Sequence, residues 1–149
     1  MTGQAAPLPH PPEAAFVGAW DLVLWTSFRA DGNAHHPFGR DCIGQILYTA
    51  DGRMSCHLTR AGRQPLGAGI YDVSDAALGA TTRDYSGYFG TWTVDAAAGI
   101  VTHHVLGAWY PDWIGLDQPR RFSFEGDELV LEAETGGERV QLRWRRVAA

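Results

Sequence analysis

The stretch Arg120–Arg145, RRFSFEGDELVLEAETGGERVQLRWR, decides how this chain folds. Three runs of alternating apolar and polar residues are separated by Gly126-Asp127 and Gly136-Gly137, two dipeptides that favour tight hairpins. The first turn pairs Phe124 with Leu129 and Phe122 with Leu131. The second pairs Ala133 with Val140, Leu131 with Leu142 and Leu129 with Trp144. The two registers are set independently, and they agree. Phe122, Phe124, Leu129, Leu131, Ala133, Val140, Leu142 and Trp144 share one face, while Glu132, Glu134, Gln141, Arg143 and Arg145 share the other. A slip of one residue would exchange the faces, so this pattern specifies an antiparallel sheet with one side in a core.

Outward from this meander, the same signature recurs. Candidate strands cover about 18–28, 42–49, 53–60, 85–94 and 100–109, followed by 119–124, 128–134 and 138–147. No stretch after residue 15 keeps a helical apolar period for three turns. Eight strands in a meander with one apolar face close into an up-and-down β-barrel, which removes exposed edges. Eight strands also leave room for side chains or one small ligand. With the first strand running up, the turns at 51–52, 95–99 and 126–127 lie at the bottom, and the long segments 29–41, 61–84 and 110–117 lie at the top. The expected shape is a cup with an elaborated mouth, where long loops carry function.

Read as a two-residue turn, Asp51-Gly52 sets Tyr48 opposite Ser55 and Leu47 opposite Cys56. His57 then opposes Ile46, on the less apolar outer face. Cys42 falls five residues from the partner of Cys56, roughly 17 Å away at ~3.4 Å per residue, and on the opposite face. Both are expected to be free thiols, as in a reducing compartment.

The chain has 149 residues, 45% of them hydrophobic, and a net charge of −5. One domain is expected, with residues 1–15 as an Ala- and Pro-rich flexible tail and 16–149 as the barrel. The acidic balance argues against nucleic acid and anionic membranes as partners. The first residues carry neither a basic nor an apolar signal region, so a cytoplasmic protein is expected. A Gly-rich phosphate loop, a Gly-x-Ser-x-Gly elbow and a pair of inward carboxylates are all absent, which sets aside kinases, serine hydrolases and glycosidases.

Several stretches resemble the bacterial and fungal lipocalin-like domain family. They are Gly18-Ala19-Trp20 within Phe16–Val23, His36-Pro37-Phe38-Gly39 through Gly44–Gly52, and Val101–Val105 through Pro111–Gly115 and Arg120-Arg121-Phe122. The resemblance covers nearly everything after residue 15. It implies an up-and-down barrel, and an Arg of the last strand, Arg145 or Arg146, packed over Trp20. It implies no particular activity, although some members accompany secondary-metabolite pathways, where a cyclase or isomerase role is considered. Fold alone does not fix function.

The adjacent His103 and His104 must point to opposite faces. Pairing Val94 with Val101 turns His103 inward opposite Trp92, the choice the resemblance favours. An inward neutral His can serve as an acid or base, or simply as a hydrogen-bonded core residue. Arg120 shares the parity of Phe122 and points inward near the mouth. Its charge requires a partner, either Asp112 or Asp117 in the adjoining loop or an anionic group on a ligand. The mouth segment Trp109–Gly115 can cap an apolar ligand or plug a narrow barrel.

The expected binding wall is therefore Tyr88, Trp92, His103, Trp109, Asp112, Trp113, Arg120 and Phe122, with His103 catalytic if the protein is an enzyme. His35 and His36 lie on the first mouth loop, but no metal-ligand spacing accompanies them, and no metal or cofactor is expected; haem on a single His is a weaker alternative. Three functions compete. One is a binder of a small hydrophobic or amphipathic molecule. Another is an isomerase or cyclase in which His103 moves a proton. The third is a barrel filled by its own side chains that self-associates, for instance as a homodimer.

Overall fold

The structure, a computed structural model, describes residues 12–148. A helical turn, α1 (Pro12–Phe16), leads into β1 (Gly18–Phe28). There follow β2 (Ala34–His35), β3 (Ile43–Tyr48), β4 (Arg53–Thr59), helix α2 (Asp75–Thr82), β5 (Tyr85–Asp95), β6 (Ile100–Ala108), a 3-10 turn at Pro111–Trp113, β7 (Asp117–Glu125), β8 (Glu128–Thr135) and β9 (Glu138–Arg146). Strands β3 to β9 pair in sequence order, and β1 closes the circle by pairing with both β3 and β9. Apart from β2, a two-residue strand on the end of β1, this is a closed barrel of eight antiparallel strands. Of the segment expected to be a tail, residues 1–11 lie outside the described residues, and 12–15 belong to α1.

The final meander has the expected register. Phe122 faces Leu131, Leu129 faces Trp144 and Ala133 faces Val140. On the outer face, Arg143 reaches Glu125 and Glu128 at 2.8 and 2.9 Å. Val94 faces Val101, and Trp92 faces His103.

The β3–β4 hairpin differs from its expected register by one residue. Tyr48 pairs with Met54 and Ile46 with Cys56. The loop holds three residues, not two. Gly52 donates to the Thr49 carbonyl at 3.1 Å, Thr49 donates to Arg53 O at 2.8 Å, and Gly52 adopts φ +89°. This is a tight turn followed by one left-handed residue, a position glycine fills without steric penalty. As a result Ile46, Tyr48, Met54, Cys56 and Leu58 are all buried. His57 stays on the outer face but opposes Gln45, bonded to Ser55 (3.0 Å) and Tyr85 (2.6 Å). Cys42 and Cys56 are both buried, contrary to the opposite-face expectation, and both are free. Cys42 lies four residues from the partner of Cys56, still about 13 Å along the strand.

The bottom of the barrel is closed from within. Phe16 is fully buried, its ring 4.9 Å from Phe122, 5.1 Å from Phe124 and 5.3 Å from Tyr48. Trp20 holds it in place by donating its indole N–H to Phe16 O at 2.8 Å. The guanidinium of Arg146 stacks 4.1 Å above the Trp20 ring and donates to the carbonyls of Val17 and Ala15. Arg146, not Arg145, therefore plays the packing role that the resemblance implies, while Arg145 pairs with Glu128 outside. Among the described residues no helix is long and apolar enough to cross a membrane.

Candidate functional site

Above this plug the barrel is open. A cavity of about 850 Å³ occupies its upper part, within the size range of small-molecule sites. Its apolar wall includes Trp25, Phe38, Ile46, Leu58, Leu131 and Trp144, and its polar wall includes Tyr88, His103, Gln118 and Arg120. Trp25 reaches the interior because β1 shifts register between Leu22 and Leu24, and the extra residue re-aims the following side chains. Phe38 comes from the first mouth loop and packs edge-on against Trp25 at 5.0 Å. Trp109 and Trp113 line the rim, 6.2 Å apart and nearly perpendicular. Trp109 is fixed by a bond from its indole to Ser86 Oγ at 3.0 Å.

The expected wall residues divide by height. Tyr88, His103, Trp109, Trp113 and Arg120 line the cavity. Trp92 and Phe122 point inward below it, against Phe16. Trp92 also donates to Thr49 O at 3.1 Å. Asp112 is exposed, accepts from the Tyr110 hydroxyl and does not line the cavity. Trp25, Phe38, Cys56 and Trp144 line it and were not foreseen. Of these, Trp144 was legible as an inward residue of the last strand.

His103 is the best enclosed polar group in the barrel, 1% exposed. Its Nε2 lies 2.7 Å from the Tyr48 hydroxyl and its Nδ1 2.6 Å from the Tyr88 hydroxyl. Burial drives its pKa down to about 3, and the positive charge of Arg120 pushes the same way, so the ring is neutral. Burial raises both phenols far above their ordinary value, and the Cys56 thiol to about 12. All four groups are thus uncharged near neutral pH. The adjacent His104 is outside, bonded to Thr93 at 2.9 Å and Asp117 at 2.7 Å.

With Asp117 engaged by His104, neither expected carboxylate serves Arg120. Its Nη2 donates to Gln118 Oε1 at 2.8 Å and its Nη1 to the Pro119 carbonyl at 3.3 Å. Among the described residues it forms no ion pair. Two further donors on cavity residues, the indole N–H groups of Trp25 and Trp144, have no acceptor among the described residues. Two further histidines serve the frame. His35 bonds Glu138 at 2.9 Å, and His36 lies 3.0 Å from the Trp25 carbonyl.

A search of curated proteins finds no significant match. Among solved structures, fatty-acid-binding protein 1 of Echinococcus granulosus is similar at 17% identity and a TM-score of 0.44, over 91% of this chain and 99% of that one. The sequence profile of the lipocalin-like domain matches residues 17–147, nearly the whole barrel. The chain belongs to the lipocalin-like domain family.

Proposed function

We propose that the barrel binds one small amphipathic molecule, its apolar body in the upper cavity and an anionic oxygen against Arg120. The observation that carries this reading is a guanidinium in the wall of an 850 Å³ cavity with no carboxylate partner. A partly buried cation left with neutral acceptors is poorly compensated, and a ligand anion supplies the missing charge. The cavity also weighs against a barrel filled by its own side chains. The two free thiols fit a protein of the reducing cytoplasm.

Decanoate is a suitable probe, with tryptophan fluorescence as the readout, because Trp25, Trp109, Trp113 and Trp144 line the cavity. Arg120→Met is expected to weaken decanoate binding by roughly 10- to 100-fold, the range of a hydrogen bond to a charged group. Binding of methyl decanoate should hardly change. An equal loss for acid and ester, or none for either, would contradict the reading.

A second reading, an isomerase or cyclase acting on such a molecule, is favoured by the hydrogen-bonded chain Tyr48–His103–Tyr88 in the cavity wall. A bound compound recovered as an isomer or cyclised product would establish it, whereas recovery unchanged marks a carrier.

A further inference from the structure

Both nitrogens of His103 are already taken by phenols, so the group that meets a ligand is decided by where the protons of the chain lie. A neutral imidazole has one N–H, and each phenol has one O–H. Two orders are available. In one, Tyr48 donates to Nε2, Nδ1–H donates to the Tyr88 oxygen, and the Tyr88 proton is left over. In the other, Tyr88 donates to Nδ1, Nε2–H donates to the Tyr48 oxygen, and the Tyr48 proton is left over.

The surroundings of the two ends differ. Tyr48 is 2% exposed, does not line the cavity and has His103 as its one hydrogen-bond partner among the described residues. A leftover proton there would be buried without an acceptor, an arrangement folded proteins avoid. Tyr88 does line the cavity, where an occupant can accept its proton. Arg120 lines the same cavity as Tyr88, and its charge acts on both phenols.

We infer that the chain runs in one direction, from Tyr48 through His103 to Tyr88, and that Tyr88 O–H and Arg120 form a two-donor clamp for one anionic oxygen of the ligand, a carboxylate in the simplest case. This rests on the amphipathic-ligand reading for its occupant but not for its proton order. His103 is then a positioning residue, and Tyr88 is the group in contact with the ligand. If the bound molecule reacts, Tyr88 is the proton donor nearest its oxygen.

The proton order can be read without any ligand. In a long-range 15N–1H correlation spectrum of histidine-labelled protein, with His103 assigned by its absence in His103→Gln, the ring is expected as the Nδ1–H tautomer with Nε2 unprotonated. An Nε2–H tautomer, or a fast average of the two, would overturn the inference.

The clamp is read with decanoate. Tyr88→Phe should weaken it roughly 10-fold and leave methyl decanoate within about 2-fold, while the folded variant melts at a lower temperature because His103 Nδ1–H loses its acceptor. An unaltered acid-to-ester ratio in Tyr88→Phe would refute the clamp. Failure of decanoate to bind the unchanged protein, with the Nδ1–H tautomer present, would instead refute the ligand reading and leave the proton order standing. An Nε2–H tautomer with Arg120-dependent decanoate binding would do the reverse.

Discussion

Replacing Gly90 with alanine is expected to remove about 3 kcal/mol or more of folding stability, near the limit for one added methyl group. A Cβ at this position would lie 1.8 Å from the carbonyl oxygen of His104 and 2.8 Å from its carbon. The obstacle is the backbone of the neighbouring strand, which cannot turn aside as a side chain can. Gly90 sits where the β5–β6 pairing shifts register after Phe89, and the irregularity brings the two chains together. Strand β6 carries His103 inward one residue from the clash, so the variant would disturb the cavity wall as well as the sheet. Urea unfolding should show a much lower midpoint with a similar slope. Gly52→Ala provides the comparison. Its Cβ would meet nothing within 4 Å, but φ is +89°, so a loss of about 1–2 kcal/mol is expected from backbone strain alone. Equal losses in the two variants would show that β5 and β6 are not held this closely.

The second large effect is acid sensitivity centred on His103. In the unfolded chain a histidine titrates near its ordinary value of about 6.5. In the folded barrel burial holds it down to about 3, with help from Arg120 and His104. Between those values the unfolded state binds a proton that the folded state refuses, so stability rises with pH across this window. Acidification from about 6.5 toward 3 therefore removes stability, on the order of a few kcal/mol, and above the window His103 contributes no slope. Glu138 acts in a lower range. Hydrogen bonds from Ser27 and His35 depress its carboxyl, and its contribution is lost as pH falls below the ordinary glutamate value. That term is common to the native protein and to His103→Gln, so the difference between them isolates His103. The variant should be less stable at pH 7, where it loses two buried hydrogen bonds, and the gap should narrow steadily toward pH 4. Parallel stability curves for the two proteins would contradict a buried neutral histidine.

The meander from Arg120 to Arg145 could be read correctly because its two-residue turns and its alternation each determine the register, and they coincide. At Asp51-Gly52 the same turn residues suit a two-residue loop or a three-residue loop with a left-handed glycine, and the turn alone cannot separate them. A second signal was present. Ile46, Tyr48, Met54, Cys56 and Leu58 occupy even positions on both strands, which requires even residues to face even residues, as the observed pairing has them.

For the site, parity gave the direction of a side chain but not its height in the barrel. Trp92 and Phe122 do point inward, yet they lie under the cavity because Phe16, the last residue of α1, packs against both from below. Trp25 was beyond reach of parity, since the bulge after Leu22 reverses the alternation of β1 and leaves no mark in composition. The partner of Arg120 turned on a competition between strands that no local pattern reveals. Asp117 pairs across the sheet with His104 and is bonded by its ring, leaving Arg120 with neutral acceptors.

Calorimetric titration of decanoate into an Ala133→Trp variant, beside the unchanged protein, tests the central claim most directly. Ala133 lines the cavity and faces Val140 across the β8–β9 pairing, so an indole there would fill the space that the ligand's apolar body is proposed to occupy. The unchanged protein should bind one decanoate with a negative heat-capacity change, the mark of apolar surface leaving water. The filled variant should bind at least 10-fold more weakly while remaining folded. Binding of equal strength in both would place the molecule outside the barrel and contradict the account.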